Sequence, residues 1–214
     1  MNDFKAWHND TLGAKAAEAL AKNNFQASYV KTRKEAIDKV LSLVPADASV
    51  GIGGSWTTGT DLGLPAVLEG RGNTIYNHGK PGLSLEEAVA IRRQQLTCDV
   101  FLTGTNAVTL DGKLVNVDGS GNRAAAMIFG PKKVVIVAGV NKIVRDVEEA
   151  ERRIELYAAP INNKRLGKTN PCTTTGMCMD CQGPGRICNV TTIIRKRLPF
   201  TETHVIIVGE ELGF

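Results

Sequence analysis

No apolar run in this sequence approaches the length that a bilayer-spanning helix needs. The N-terminus, MNDFKAWHNDTLGAKAAEALAKN, has no basic segment leading into an uninterrupted apolar stretch, so it does not read as a secretory signal. A cytoplasmic location is therefore the expectation. A dense basic footprint is missing as well. The net charge is only +4, and apart from Arg195-Lys196-Arg197 the basic residues are spread along the chain, which argues against a nucleic-acid groove and leaves room for a small anionic ligand. Repeats and low-complexity tracts are absent. Histidine is scarce: His8, His78 and His204 fall in different settings and each reads as a structural or surface residue. No Ser, His and acid grouping suggests a hydrolase, and no general base is assigned.

What is present describes a globular protein. With 214 residues the chain is long enough to bury a real core, and 43% hydrophobic with 22% charged residues sets aside disordered, collagen-like and coiled-coil classes. One domain spanning residues 1–214 is the expected organisation. Helical and strand-like segments alternate, as in βα units around a largely parallel sheet. Residues 3–23, rich in Ala, Lys and Leu, read as a helix and Phe25–Val30 as a strand. Capping boxes at Thr32 with Glu35, Ser84 with Glu87 and Asp146 with Glu149 announce three further helices, because the cap oxygen and the acid three residues on satisfy orphan amides. Strand character marks Ser49–Ile52, Thr74–Tyr76, Val100–Leu102, Val134–Val137 and Val205–Val208. The last two are continuous aliphatic runs, suited to strands covered on both faces. Asp111-Gly112 inside AVTLDGKLVNV signals a tight hairpin, so the expected sheet is mixed. From Ala158 to about residue 190 periodicity disappears and Pro, Gly, Asn, Thr and Cys accumulate.

That segment holds Cys172, Cys178, Cys181 and Cys188 at C-x5-C-x2-C-x6-C spacing. Four thiols in so short an irregular stretch of an intracellular chain point to a metal or iron–sulfur centre, with glycines 176, 183 and 185 permitting the turns that gather them. Disulfides or free buried thiols are the plainer alternatives. The spacing matches no ferredoxin pattern and leaves zinc and iron–sulfur open. Cys98, before the strand DVFLTG, reads as a small core residue.

Two glycine-rich turns are candidate anion sites. GIGGSWTTGT follows a strand and opens a helix, which puts the amides of Gly53, Gly54 and Ser55 where an anion is favoured. It is neither a Walker A loop nor a dinucleotide fingerprint, and close strand–helix packing would also require glycine there. Trp56 could wall such a pocket or simply pack. In VDGSGNRAAAMIFGP, Gly119 and Gly121 precede Asn122 and Arg123, whose guanidinium could fork onto a carboxylate or phosphate. Asn141 and Lys142 follow the buried strand VVIVAG at its carboxyl end, the edge where open α/β sheets bind ligands.

Taken together, GGSWTTGTDLGLP, the stretch DVFLTGTNAVTLDGKLVNVDGSGNRAAAMIFGPKKVVIVAGVNKIV, the segment AAPINNKRL and the terminal cysteine block resemble the lactate-utilisation (LUD) domain family, formerly a domain of unknown function, DUF162. The resemblance runs over nearly the whole chain. More distantly, the first two stretches resemble the fold shared by ribose-5-phosphate isomerases, CoA transferases and translation-initiation-factor 2B proteins. The resemblance implies an open, mostly parallel twisted sheet flanked by helices, with a ligand pocket built from the two glycine loops. It also implies a part in oxidation of L-lactate to pyruvate beside iron–sulfur partner proteins, and so favours an iron–sulfur cluster over zinc on the four cysteines. Neither the catalytic carboxylate of a CoA transferase nor the acidic loop of a sugar-phosphate isomerase has a counterpart here, so neither activity is carried over. The expectation is an accessory or electron-transfer component that binds a small anionic metabolite, with homo-oligomerisation compatible with it. The rivals are a transferase or isomerase of phosphorylated or CoA-linked substrates with structural zinc, and a metabolite-sensing binding protein.

Overall fold

The structure, a computed structural model, describes residues 3–214. Helix α1 (Asp3–Lys22) buries Asn9, Gly13, Ala16, Ala17 and Leu20, a spacing of three and four that lays one face on the sheet. Then come β1 (Gln26–Val30), α2 (Arg33–Leu43), β2 (Ser49–Ile52), α3 (Leu64–Gly70), β3 (Thr74–Tyr76), α4 (Leu85–Gln94) and β4 (Val100–Thr103). The second half carries β5 (Ala107–Thr109), β6 (Leu114–Asp118), α5 (Asn122–Phe129), β7 (Lys133–Gly139), β8 (Ile143–Val144), α6 (Val147–Arg153), α7 (Ala159–Arg165), α8 (Cys172–Thr175), β9 (Val190–Ile194) and β10 (Glu202–Val208). All three capping signals are realised. Ser84 and Glu87 form the full reciprocal box, while Thr32 and Asp146 accept from the amides of Glu35 and Glu149.

The main sheet has six strands in the order β1-β10-β7-β4-β2-β3, and every pairing is parallel. Its centre explains the aliphatic runs. Val134, Ile136 and Ala138 of β7, with Val205 and Ile207 of β10, enter the core layer beneath α1 and α5. Val135, Val137, Ile206 and Val208 enter the opposite layer with α2 and α3. Alternate residues thus face two different apolar layers, and neither face needs polar positions.

The hairpin at Asp111-Gly112 forms as expected, with Gly112 at φ +82 and its amide donating to the Thr109 carbonyl at 2.9 Å. It does not make the main sheet mixed. After β4 the chain leaves at Gly104, and β5 and β6 join a separate four-stranded sheet of order β8-β5-β6-β9, to which the antiparallel pairs are confined. A second difference concerns Ala158, where irregular chain is expected. Instead, α6 runs through a widened π-helical turn, Ile154–Ala158, straight into α7. Pro160 lies in the first turn of α7, where the widened turn accommodates its missing N–H. No helix among the described residues is long and apolar enough to cross a membrane.

Candidate functional site

The carboxyl ends of the parallel strands meet the second sheet at a cleft of about 250 Å³. Gly53, Gly54, Ser55 and Trp56 enter it from the loop after β2, and His78 from the loop after β3. Gly104, Thr105 and Asn106 come from the end of β4, and Asp118, Gly119, Ser120, Asn122 and Arg123 from the β6–α5 turn. Lys142 follows β7, Arg92 stands on α4, and Asn162 and Arg165 stand on α7. Gly53 has a packing reason to be glycine, since a Cβ there would lie 2.5 Å from Thr103 Oγ1. Gly54, at φ +70, turns the chain into the cleft.

Arg92, Arg123, Lys142 and Arg165 make this cleft cationic. Arg123 is held rigidly, with Nη1 donating to Asn116 Oδ1 at 2.5 Å and Nη2 to Asn106 Oδ1 at 2.9 Å and to the Val117 carbonyl at 2.7 Å. Arg165 lies over the Trp56 and Phe214 rings, with its guanidinium carbon 5.9 and 6.0 Å from their centroids. Lys142 is only 4% exposed and donates to Thr57 Oγ1 at 3.1 Å. Burial, reinforced by repulsion from Arg153 and Arg123, pulls its pKa down to about 7, with Asp61 opposing. The acidic residue lining the cleft, Asp118, is already engaged. Its Oδ1 accepts from the amides of Ser120 and Gly121, both at 3.1 Å, and its Oδ2 from that of Ala124 at 2.9 Å. The carboxylate therefore caps α5 and satisfies turn amides that the sequence left open for a ligand.

The four cysteines of the terminal block surround one small cavity together with Ala159, Asn163, Asn170, Met179, Arg186 and Ile187. None is in a disulfide, and neither is Cys98. The segment is braced from several sides. Cys178 N donates to the Glu155 carbonyl at 2.8 Å, Arg186 donates to the carbonyls of Cys181 and Cys188 at 2.7 and 3.0 Å, and Asn170 donates to that of Gly185 at 2.8 Å. Asp180, at φ +44, turns its amide back onto Cys178 Sγ at 3.4 Å, the amide-to-sulfur bond expected inside a Cys-x2-Cys knuckle. Burial pushes the Cys188 thiol up to about 11, with Cys178, Cys172 and Cys181 adding to the shift and Arg186 opposing it, so a thiolate there calls for a cation beyond Arg186. Among the described residues no group of three or more His, Cys, Asp or Glu side chains is set for metal ligation, so the thiols share a cavity rather than a point. As a donor set they suit zinc or an iron–sulfur cluster equally. Ala159, Ile187 and Cys188 line this cavity and the cationic cleft alike.

The family model for the LUD domain matches residues 13–208. This chain belongs to the LUD domain family. Among solved structures it is similar to a DUF162 family protein from Deinococcus radiodurans, with 14% identity and a TM-score of 0.51 over 94% of this chain and 98% of that one. At such identity the likeness speaks for the fold alone. No curated protein matches the sequence.

In this LUD domain the two glycine loops, Asn122, Arg123 and Lys142 do come together. Gly121 stands just outside the lining, at φ +77 as the residue before α5. Asn141 points elsewhere. Its Nδ2 donates to the Gly213 carbonyl at 3.3 Å and its Oδ1 accepts from Leu212 N at 3.0 Å, which straps the segment carrying Phe214 against the cleft. Nothing in the sequence singles out Arg92, Arg165 or Asp118 as lining residues, and His78 reads there as a structural or surface residue. His78 had a usable signal, since it lies two residues beyond β3 on the same strand edge that singled out Lys142. Arg92 and Arg165 had none, because helical arginines are ordinarily solvated.

Proposed function

We propose that the cleft binds a small carboxylate of the 2-hydroxy- or 2-keto-acid class, and that the protein is an accessory or electron-transfer component in oxidation of L-lactate to pyruvate. The observation that carries the reading is the convergence of Arg92, Arg123, Lys142 and Arg165 on one cleft whose lining acid, Asp118, is occupied by backbone amides. Such a site favours a compact anion, to which Arg123, with both Nη2 hydrogens held by Asn106 and Val117, contributes its charge and the hydrogens left on Nε and Nη1. Membership of the LUD domain family supports lactate utilisation as the setting. An iron–sulfur cluster on Cys172, Cys178, Cys181 and Cys188 would supply one-electron chemistry beside the ligand, and iron–sulfur partner proteins would pass the electrons on.

Anaerobic purification with iron, zinc and sulfide analysis tests the cofactor. Iron and sulfide in stoichiometric amounts, with broad visible absorption lost in Cys178→Ser, is the expected result; stoichiometric zinc without sulfide would refute the electron-transfer role. Calorimetric titration with L-lactate and pyruvate tests the cleft. Arg123→Met should weaken both ligands by roughly tenfold or more, the loss of a charged hydrogen bond.

A further inference from the structure

The arginines and Lys142 offer donors, and the carboxylate of a hydroxy acid looks the same to them as that of a keto acid. The two ligands differ at C2, where a hydroxyl both donates and accepts while a ketone only accepts. Telling them apart therefore calls for an acceptor in the cleft. Asp118 is engaged by amides. Thr105 Oγ1 stands within 3.3 Å of the Ala107 and Val115 carbonyls and Asn116 Oδ1, so its proton is directed away from the cleft.

His78 supplies an acceptor of this kind beside the glycine loop, and its protonation state follows from its neighbour. Gln95 is 1% exposed, and its Nε2 donates to the carbonyls of Ile52 and Tyr76, both at 2.8 Å. Those two bonds use both amide hydrogens. Gln95 Nε2 lies 3.0 Å from His78 Nδ1 but has no hydrogen left to give it, and Oε1 lies 3.2 Å away, so Nδ1 carries the proton and donates to that oxygen. Nε2 is left with its lone pair. It faces the cleft beside Gly54, 3.3 Å from where a Cβ on that residue would sit. Burial first, and Arg92 second, hold the ring below its ordinary pKa against weaker opposition from Gln95 and Asp118, which keeps it neutral.

We propose that His78 Nε2 accepts a hydrogen bond from the C2 hydroxyl of a bound 2-hydroxy acid and thereby sets the preference of the cleft for hydroxy acid over keto acid. The inference rests on the cleft being a site for this carboxylate class, as proposed above. Gln95 is then a positioning residue, fixing the tautomer through the strand carbonyls it also ties together.

Two measurements test it. Calorimetry with L-lactate and pyruvate on the wild type and His78→Ala should show lactate affinity falling roughly tenfold while pyruvate stays within about twofold, the effect of one hydrogen bond. Long-range proton–nitrogen NMR of the wild-type protein should show Nδ1 protonated and Nε2 bare, with the Nε2 resonance moving on addition of lactate but not pyruvate. Equal losses for both ligands in His78→Ala, or a proton on Nε2, would overturn the assignment of His78 alone. A wild type that binds neither acid would overturn the reading of the cleft as well.

Discussion

Replacing Lys142 with methionine keeps the length of a side chain that is 4% exposed and removes its amine. In the unfolded chain the lysine holds its proton up to the ordinary value of 10.5, whereas in the folded protein it releases it at about 7. Between those values the unfolded state binds more protons, so this group makes stability rise with pH. Below the folded value both states are protonated and the full penalty applies, about 5 kcal/mol for a depression of this size. Near pH 6 the methionine variant should therefore be the more stable, less about 1 kcal/mol for the hydrogen bond that Thr57 loses. That loss does not vary with pH, so the diagnostic quantity is the change in the gap. At about pH 9 roughly 2 kcal/mol of penalty is left, and the difference between the two proteins should have shrunk by about 3 kcal/mol. Urea unfolding at the two pH values measures it. A gap that does not change with pH would show that Lys142 titrates as an ordinary lysine and that the cleft is not electrostatically strained. The same reasoning makes anion binding take up a proton at mildly alkaline pH, seen as a buffer-dependent heat.

Gly53→Ala should lower stability by about 1–3 kcal/mol in the same assay, because the new methyl would press on Thr103 and the Phe101 ring; a neutral result would mean that the β2–β4 edge is slack. Cys98, whose thiol is pushed up to about 11 by burial, should resist iodoacetamide in the folded protein stripped of any metal or cluster, while the half-buried Cys178 and Cys181 react, as read by peptide mass spectrometry; comparable rates would place Cys98 outside the core.

The parallel sheet was legible because its evidence is local: aliphatic runs at β7 and β10 and caps at α2, α4 and α6; the Asp-Gly turn was equally local but belongs to the second sheet. The division into two sheets was not, since strand character does not say which partner a strand finds. VTTII, the sequence of β9, is β-branched throughout and still passed unmarked, because its partner β6 lies more than seventy residues earlier in the chain. Pro160 misled for a related reason, a local breaker being absorbed by a widened turn. Within the cleft, residues beside glycines were visible and residues on helix faces were not. Asn141 and Lys142 share one sequence signal but point opposite ways, one to the strap and one to the ligand space, a distinction made by a single turn of 3-10 helix.

Cys188 belongs to both cavities, and the wall it forms with Ile187 and Ala159 makes neighbours of two chemistries, the cationic cleft and the thiol cavity. A partition that either occupant can push is a means of communication. An occupant that displaced Cys188 from the sulfur side would change the shape offered to the anion. By reciprocity, an anion that binds more tightly after that change must hold the sulfur side in place by the same factor.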